Sequence, residues 1–261
     1  AYAAGTTHAS ALILGATSKD GTSQFYGKAP LANATARDWH EHMELRWGSR
    51  AASVMRQYPL DRFNGSAAAA YIEADADERV VCPLRDMATL AANAGCAVYE
   101  YTYAHFSLAC DAGWEMQTLP WWMPRPQLRP RFSHWASHGA DVHYVFGTIH
   151  GPDDLNNSAL QHCPFDAAVG EVELTAHISA YWASFVRGGV PQGVPEWPRF
   201  LAQPPNSTLT QTLRLQAGPS EGGGPEIQAN FKEADCAFWS PEHQHAGSAS
   251  SPPGDKSHRP S

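Results

Sequence analysis

Apolar residues recur along this chain at two spacings, and the spacings predict its elements. Ser10 to Gly15 is a short apolar run closed by glycine, which predicts a buried strand feeding a loop at Ala16 to Gly21. Ala97 to Ala104 alternates β-forming residues and predicts a second strand. Between them, Thr35 to Trp47 mixes apolar and aromatic residues with charged ones at helical spacing, with Thr35 as its cap. Ser66 to Asp75 and Asp77 to Asn93 predict two further helices, the second stopped by Gly95. Glu171 to Arg187 predicts another, closing on Gly188 and Gly189. Leu119 to Arg131, Ser158 to Asp166 and the Gly/Pro-rich Ala217 to Pro225 predict loops. Pro241 to Ser261, rich in Ser, Pro, Gly and His, predicts a disordered tail. Strands alternating with long helices, without internal repeats, predict an α/β fold.

Composition narrows the function classes. The 261 residues are 43% hydrophobic, enough for a sizeable core. The formal net charge is −8 and no basic patch stands out, which argues against a nucleic-acid partner. No apolar run approaches the roughly 20 residues of a membrane span. Ala1 to Thr7 lacks a basic leader region, and the start reads as one inside a mature protein or an incomplete reading of the gene. Five cysteines without CxxC spacing make neither a disulfide scaffold nor a zinc site. The i, i+2 pairs His40/His42 and His243/His245 do not share a helix face, so no metal is expected, and no cofactor. Asn33, Asn64, Asn156 and Asn206 each begin an N-x-S/T glycosylation sequon, and with the cysteines they point to the secretory pathway.

The candidate chemistry sits at two places. Asp20 follows the first predicted strand, between Lys19 and Gly21, where functional groups of open α/β sheets gather. His138, followed by Gly139 and an apolar run ending at Phe146-Gly147, lies beyond the second strand. An acid that fixes an imidazole's tautomer and an imidazole that accepts a proton are two members of a hydrolytic triad. Taken singly, the same residues also fit a solvated turn and a packed histidine. The sequence holds one Gly-x-Ser-x-Gly, from Gly218 to Gly222 around Ser220. It follows the histidine, Arg214 to Gln216 reads as a poor buried strand, and Gly223-Gly224-Pro225 cannot open a helix, so Ser220 is expected in a surface loop.

Several segments in order resemble the type-B carboxylesterase/cholinesterase family of α/β-hydrolases. Leu12 to Gly15 followed by Lys19-Asp20-Gly21 resembles the family's strand and acid turn, with aspartate where most members carry glutamate. Val80 to Leu84 resembles its helix with a half-cystine, and Ala97 to Tyr101 the strand that follows. His138 to Asp141 with Tyr144 to Gly147 is similar to the catalytic histidine motif. Tyr181 to Phe185, Gly188, Pro191, Trp197-Pro198 and Cys236 to Trp239 resemble the downstream helix, turn and closing half-cystine.

The resemblance implies the C-terminal portion of an α/β-hydrolase over residues 1–239, a partial mixed sheet with flanking helices, the N-terminal half of the fold being absent, and a tail at 240–261. It implies catalytic roles for Asp20 and His138, a Cys82–Cys236 disulfide, a small-molecule ester substrate in the intact parent, and a secreted protein. Cys96, Cys110 and Cys163 have no counterpart, though a Cys110–Cys163 pair is one arrangement. Trp121, Trp122 and Trp135 are candidates for a pocket wall or for packing. On this reading the nucleophilic serine and oxyanion hole lie outside the chain, which alone is inactive. The alternative is a non-catalytic cholinesterase-like adhesion or binding module. A partial sheet leaves a strand edge and an apolar face uncovered. The isolated polypeptide is therefore expected to aggregate or fold incompletely, and a sharp two-state melt from a monomer would contradict this.

Overall fold

Strands of a parallel sheet are buried on both faces and need helices above and below. The computed structural model describes residues 9–21, 35–105, 136, 138–147, 170–201, 210–217 and 224–240. Its strands are β1 (Ala11–Thr17), β2 (Ala97–Tyr103), β3 (Gln211–Leu215) and β4 (Glu226–Ala229). Its α-helices are α1 (Ala36–Trp47), α2 (Ala51–Gln57), α3 (Ala67–Ala76), α4 (Cys82–Asn93), α5 (Val142–Val145), α6 (Glu171–Gly188) and α7 (Glu233–Trp239). The strands form one mixed sheet in the order β1-β2-β3-β4, the first three parallel and β4 antiparallel to β3.

The β1–β2 ladder runs in register from Ala11 opposite Ala97 to Thr17 opposite Tyr103. The first strand thus extends two residues past Gly15, where the apolar run gives out, because the β2 backbone continues to supply hydrogen bonds. Alternation sorts the side chains. Val98, with Leu12 and Leu14, packs on Ala88, Ala91 and Phe200. Tyr99, Tyr101 and Tyr103, with Ile13, face α6 through Leu174, Ile178 and Tyr181, together with Tyr144 and Trp197.

Beyond the lengthened β1, the predicted elements follow their signals with two main changes. Thr35 caps α1 through a full capping box: its hydroxyl accepts from the Asp38 N–H, and Asp38 accepts from the Thr35 N–H at 2.8 Å. The two helices expected on either side of Ala76 are one continuous rod, because a π-turn at Asp77–Val81 joins α3 to α4. No proline or glycine between Ala67 and Cys82 breaks the run. Gly189, at φ 73°, ends α6.

The second change is β3, whose Arg214 to Gln216 segment read as a poor buried strand. It is the third strand of the sheet, with Leu213 and Leu215 fully buried. Its polar face is matched: the Thr212 hydroxyl donates to the buried Glu100 carboxylate on β2, and Glu100 also lies 3.9 Å from Arg85. A buried polar residue with a partner does not argue against a strand.

A third cluster gathers Trp39, Met43, Trp47, Tyr58, Tyr71, Ile72 and Trp239 around Cys82. Cys82 is disulfide-bonded to Cys236 with a Cα–Cα distance of 5.0 Å, as the family resemblance implied. Cys96 is reduced and buried, its thiol 2.8 Å from the Ala9 carbonyl oxygen. Cys110 and Cys163 lie outside the described residues, as does the tail from Pro241. No described helix is long and apolar enough to cross a membrane.

The disulfide closes a separation of 154 residues, which on chain entropy stabilises the fold by up to about 5 kcal/mol. In the protein at its full natural length, Cys236→Ser should lower the guanidinium unfolding midpoint, and reductant should reproduce the loss in the wild-type protein. An unchanged midpoint would remove the disulfide from any account of stability.

Candidate active site

The acid turn is built by backbone before any chemistry. Just past the end of β1, Ser18 N–H donates to the Tyr103 carbonyl at 2.7 Å and extends the ladder one step. Lys19 N–H then donates to the Ala136 carbonyl at 3.1 Å, tying this turn to the segment that carries His138. Asp20 is 6% exposed, and its Oδ2 accepts from the Thr17 N–H at 2.9 Å and the Thr17 hydroxyl at 3.1 Å. Gly21 lies against α3, where a Cβ would come within 2.5 Å of the Ile72 carbonyl oxygen. Glycine after the acid is therefore a packing requirement.

A charge network supports the turn from behind. Lys19 pairs with Glu73 of α3, and Glu73 also takes Lys232, which is 2.8 Å from Asp77 and 3.5 Å from Asp235. Arg62 closes the far end with two bonds to Asp235, at 2.6 and 2.7 Å. Burial raises the Glu73 carboxyl, but the two lysines prevail and hold it below its ordinary value. Burial pushes Asp77 up to about 6, with Lys232 opposing.

The histidine turn is pinned at several points. His138 Nδ1 lies 2.6 Å from Asp20 Oδ1, a contact between residues 118 positions apart. Opposite a carboxylate, Nδ1 is assigned as the donor, so Nε2 is the acceptor nitrogen of the neutral ring. The His138 side chain is 62% exposed while that of Asp20 is 5% exposed. Gly139 takes φ 79°, and α5 follows. Asp141 accepts from the Tyr101 hydroxyl at 2.6 Å. Tyr144 donates to Glu171 at 3.3 Å, and the buried Glu171 is also 3.0 Å from His105 Nε2.

Electrostatics favour a protonatable His138. Its pKa lies above the ordinary value, first through the hydrogen bond to Asp20, against partial burial, and further through the charges of Asp20 and Asp141. Burial, reinforced by Asp141, raises the Tyr101 phenol well above its usual range, which keeps it a donor. A buried acid on one ring nitrogen and an open second nitrogen make a proton-accepting dyad.

Asp20 and His138 are thus brought together. Thr17, Tyr101 and Asp141 complete the surroundings and were not singled out from sequence, because no local spacing links positions 40 residues apart such as Tyr101 and Asp141. Asn64 is exposed in a left-handed turn, φ 52°, while Asn33, Asn156 and Asn206 lie outside the described residues, as do Trp121, Trp122 and Trp135. Ser220 does too, but its flanks are described: Gly224 N–H donates to the Ala217 carbonyl at 3.0 Å, and β4 runs antiparallel to β3. The described flanks thus join two antiparallel strands and not a strand to a helix, which is not the setting of a nucleophile elbow.

The sequence model of the carboxylesterase family matches residues 2–239. The chain is 31% identical to acetylcholinesterase of Gallus gallus over 182 residues, which is 69% of this chain and 19% of that protein. It is 28% identical to neuroligin-2 of Homo sapiens over 218 residues, 80% of this chain and 22% of that protein. It is 25% identical to carboxylesterase 4A of Bos taurus over 155 residues, 59% of this chain and 21% of that protein. The chain spans about a fifth of the length of these curated relatives.

Nuclear magnetic resonance (NMR) titration of histidine rings in the protein at its full natural length checks the dyad. His138 should titrate above the ordinary value of about 6.5. Asp20→Asn should move it down. Since the folded pKa is raised, any stability from the charged pair is present at pH below the unfolded value and disappears as pH rises through the folded one. A His138 pKa indifferent to Asp20→Asn would separate the two groups.

Proposed function

The chain belongs to the carboxylesterase family, and on that premise we propose that it supplies the acid and the base of a serine-esterase triad. The observation that carries this is the 2.6 Å contact between His138 Nδ1 and Asp20 Oδ1 at the carboxyl end of the parallel strands. His138 Nε2 takes the proton of an attacking serine and returns it to the leaving alcohol. Asp20 holds the reactive tautomer and stabilises the imidazolium. The aspartate is one methylene shorter than the usual glutamate, and the contact distance supports its reaching the ring all the same. The serine and the oxyanion hole are supplied from outside residues 1–261, and the chain alone is inactive. The substrate is a small-molecule carboxylic ester; the mechanism requires neither cofactor nor metal.

The Cys82–Cys236 disulfide and the exposed sequon at Asn64 support a glycosylated protein of the secretory pathway. A second reading is a non-catalytic cholinesterase-like module, favoured by the 218-residue match to neuroligin-2. The buried acid aimed at an open imidazole favours the esterase.

Chromogenic esters distinguish these readings. The chain alone should give no turnover above buffer. The full natural-length protein should hydrolyse the ester, and His138→Ala or Asp20→Asn should lower kcat by a factor on the order of 10⁴ or more. Turnover by the chain alone that His138→Ala abolishes would place the nucleophile within it. A full-length protein without turnover would favour the module.

A further inference from the structure

We infer that Tyr101 is a positioning residue for the Asp20–His138 dyad, one side chain that registers the acid-bearing strand against the histidine turn. The inference rests on reading that pair as a dyad. Tyr101 lies in β2 directly opposite Gly15 of β1, in the strand that leads to Asp20. Its ring fills the space over Gly15, where a Cβ would stand 2.3 Å from the Tyr101 Cδ1. Trp182 and Trp197 meet the ring edge-on, with centroids at 5.1 and 6.1 Å, and fix its tilt. So held, the phenol donates at 2.6 Å to Asp141, three residues beyond His138 on the same turn.

Phenylalanine would cover Gly15 equally well, so packing alone does not account for the hydroxyl. A phenol donating to a carboxylate is a charge-assisted bond with a fixed direction, stronger than a neutral one. Its acceptor belongs to the turn that must hold Nδ1 against Asp20. The backbone bond from Lys19 to the Ala136 carbonyl ties that turn on the near side of His138, and the Tyr101–Asp141 bond ties it on the far side. The two ties together fix where the ring stands over the acid.

The test needs no substrate. In the protein at its full natural length with 15N-labelled histidines, the Nδ1–H proton of His138 bonded to Asp20 gives a far-downfield signal, and the ring titrates above the ordinary histidine value. Tyr101→Phe should lose or broaden the signal and shift the ring pKa down, with the melting temperature little changed. Gly15→Ala, which displaces the ring but keeps hydroxyl and carboxylate, should do the same. Asp141→Asn retains an acceptor for the phenol and should keep the signal, whereas Asp141→Leu should lose it. A Tyr101→Phe protein with the wild-type signal and an unchanged or raised pKa overturns the inference. Should Tyr101→Phe fail to fold, the Asn and Leu variants at position 141 decide, and equal spectra for those two overturn it. An inactive protein whose spectra behave as described removes the esterase reading alone, and an active one indifferent to Tyr101→Phe removes this inference alone.

Discussion

The parallel pairing of β1 with β2 is the constraint on which the site depends. Seven residues in register, Ala11 to Thr17 against Ala97 to Tyr103, bring two segments far apart in sequence to one end of the sheet. Ser18 adds one more rung and Lys19 reaches across to Ala136, so the acid turn and the histidine turn share backbone bonds before their side chains meet. A register slip of one residue would send Tyr101 to the other face and break the bonds by which Ser18 and Lys19 hold the acid turn to its neighbours. The placing of His138 against Asp20 is in this sense a property of the ladder.

The charge network behind the acid turn serves a different end. Lys19, Glu73, Lys232, Asp77, Asp235 and Arg62 join β1, α3, the π-turn and the disulfide-bearing α7. Buried ion pairs are poor sources of net stability, since desolvation consumes much of their attraction. They are stringent about geometry, because removing one partner strands the others. The Tyr58 hydroxyl, donating to Asp77 at 2.8 Å and accepting from Trp239 at 2.7 Å, ties this network to the aromatic cluster around Cys82. The disulfide and the ion network therefore tie α7 to the continuous α3–α4 rod by independent means.

Much of this was legible in the sequence where the signal was local. The Thr35 cap, the glycine end of α6 and the apolar run of β1 each follow from a few neighbouring residues. The pairing of Asp20 with His138 follows from their places beyond two strands of one sheet and from the ordered family segments, not from spacing. What stayed hidden depended on partners. β3 carries polar residues whose matches, Glu100 for Thr212 and Glu226 for Arg214, sit on neighbouring strands. The short helices α2 and α7 have too few residues to show a period. The α3–α4 boundary vanished because a π-turn carries the rod through the charged stretch at Asp77. In sequence Tyr101 is one of several alternating aromatics; only the fold sets Gly15 and Asp141 against it.

The contact between Gly21 and the backbone of α3 bears on how such a site can drift over generations. A methyl group there would meet the Ile72 carbonyl and the Ala76 nitrogen, neither of which can swing aside as a side chain would. The helix and the turn would have to shift together, taking the Glu73 anchor with them. Position 20 is held differently, by the two Thr17 donors and the His138 ring, all of which its carboxylate must keep. Side-chain partners thus hold the residue that carries the charge, while unyielding backbone holds its silent neighbour.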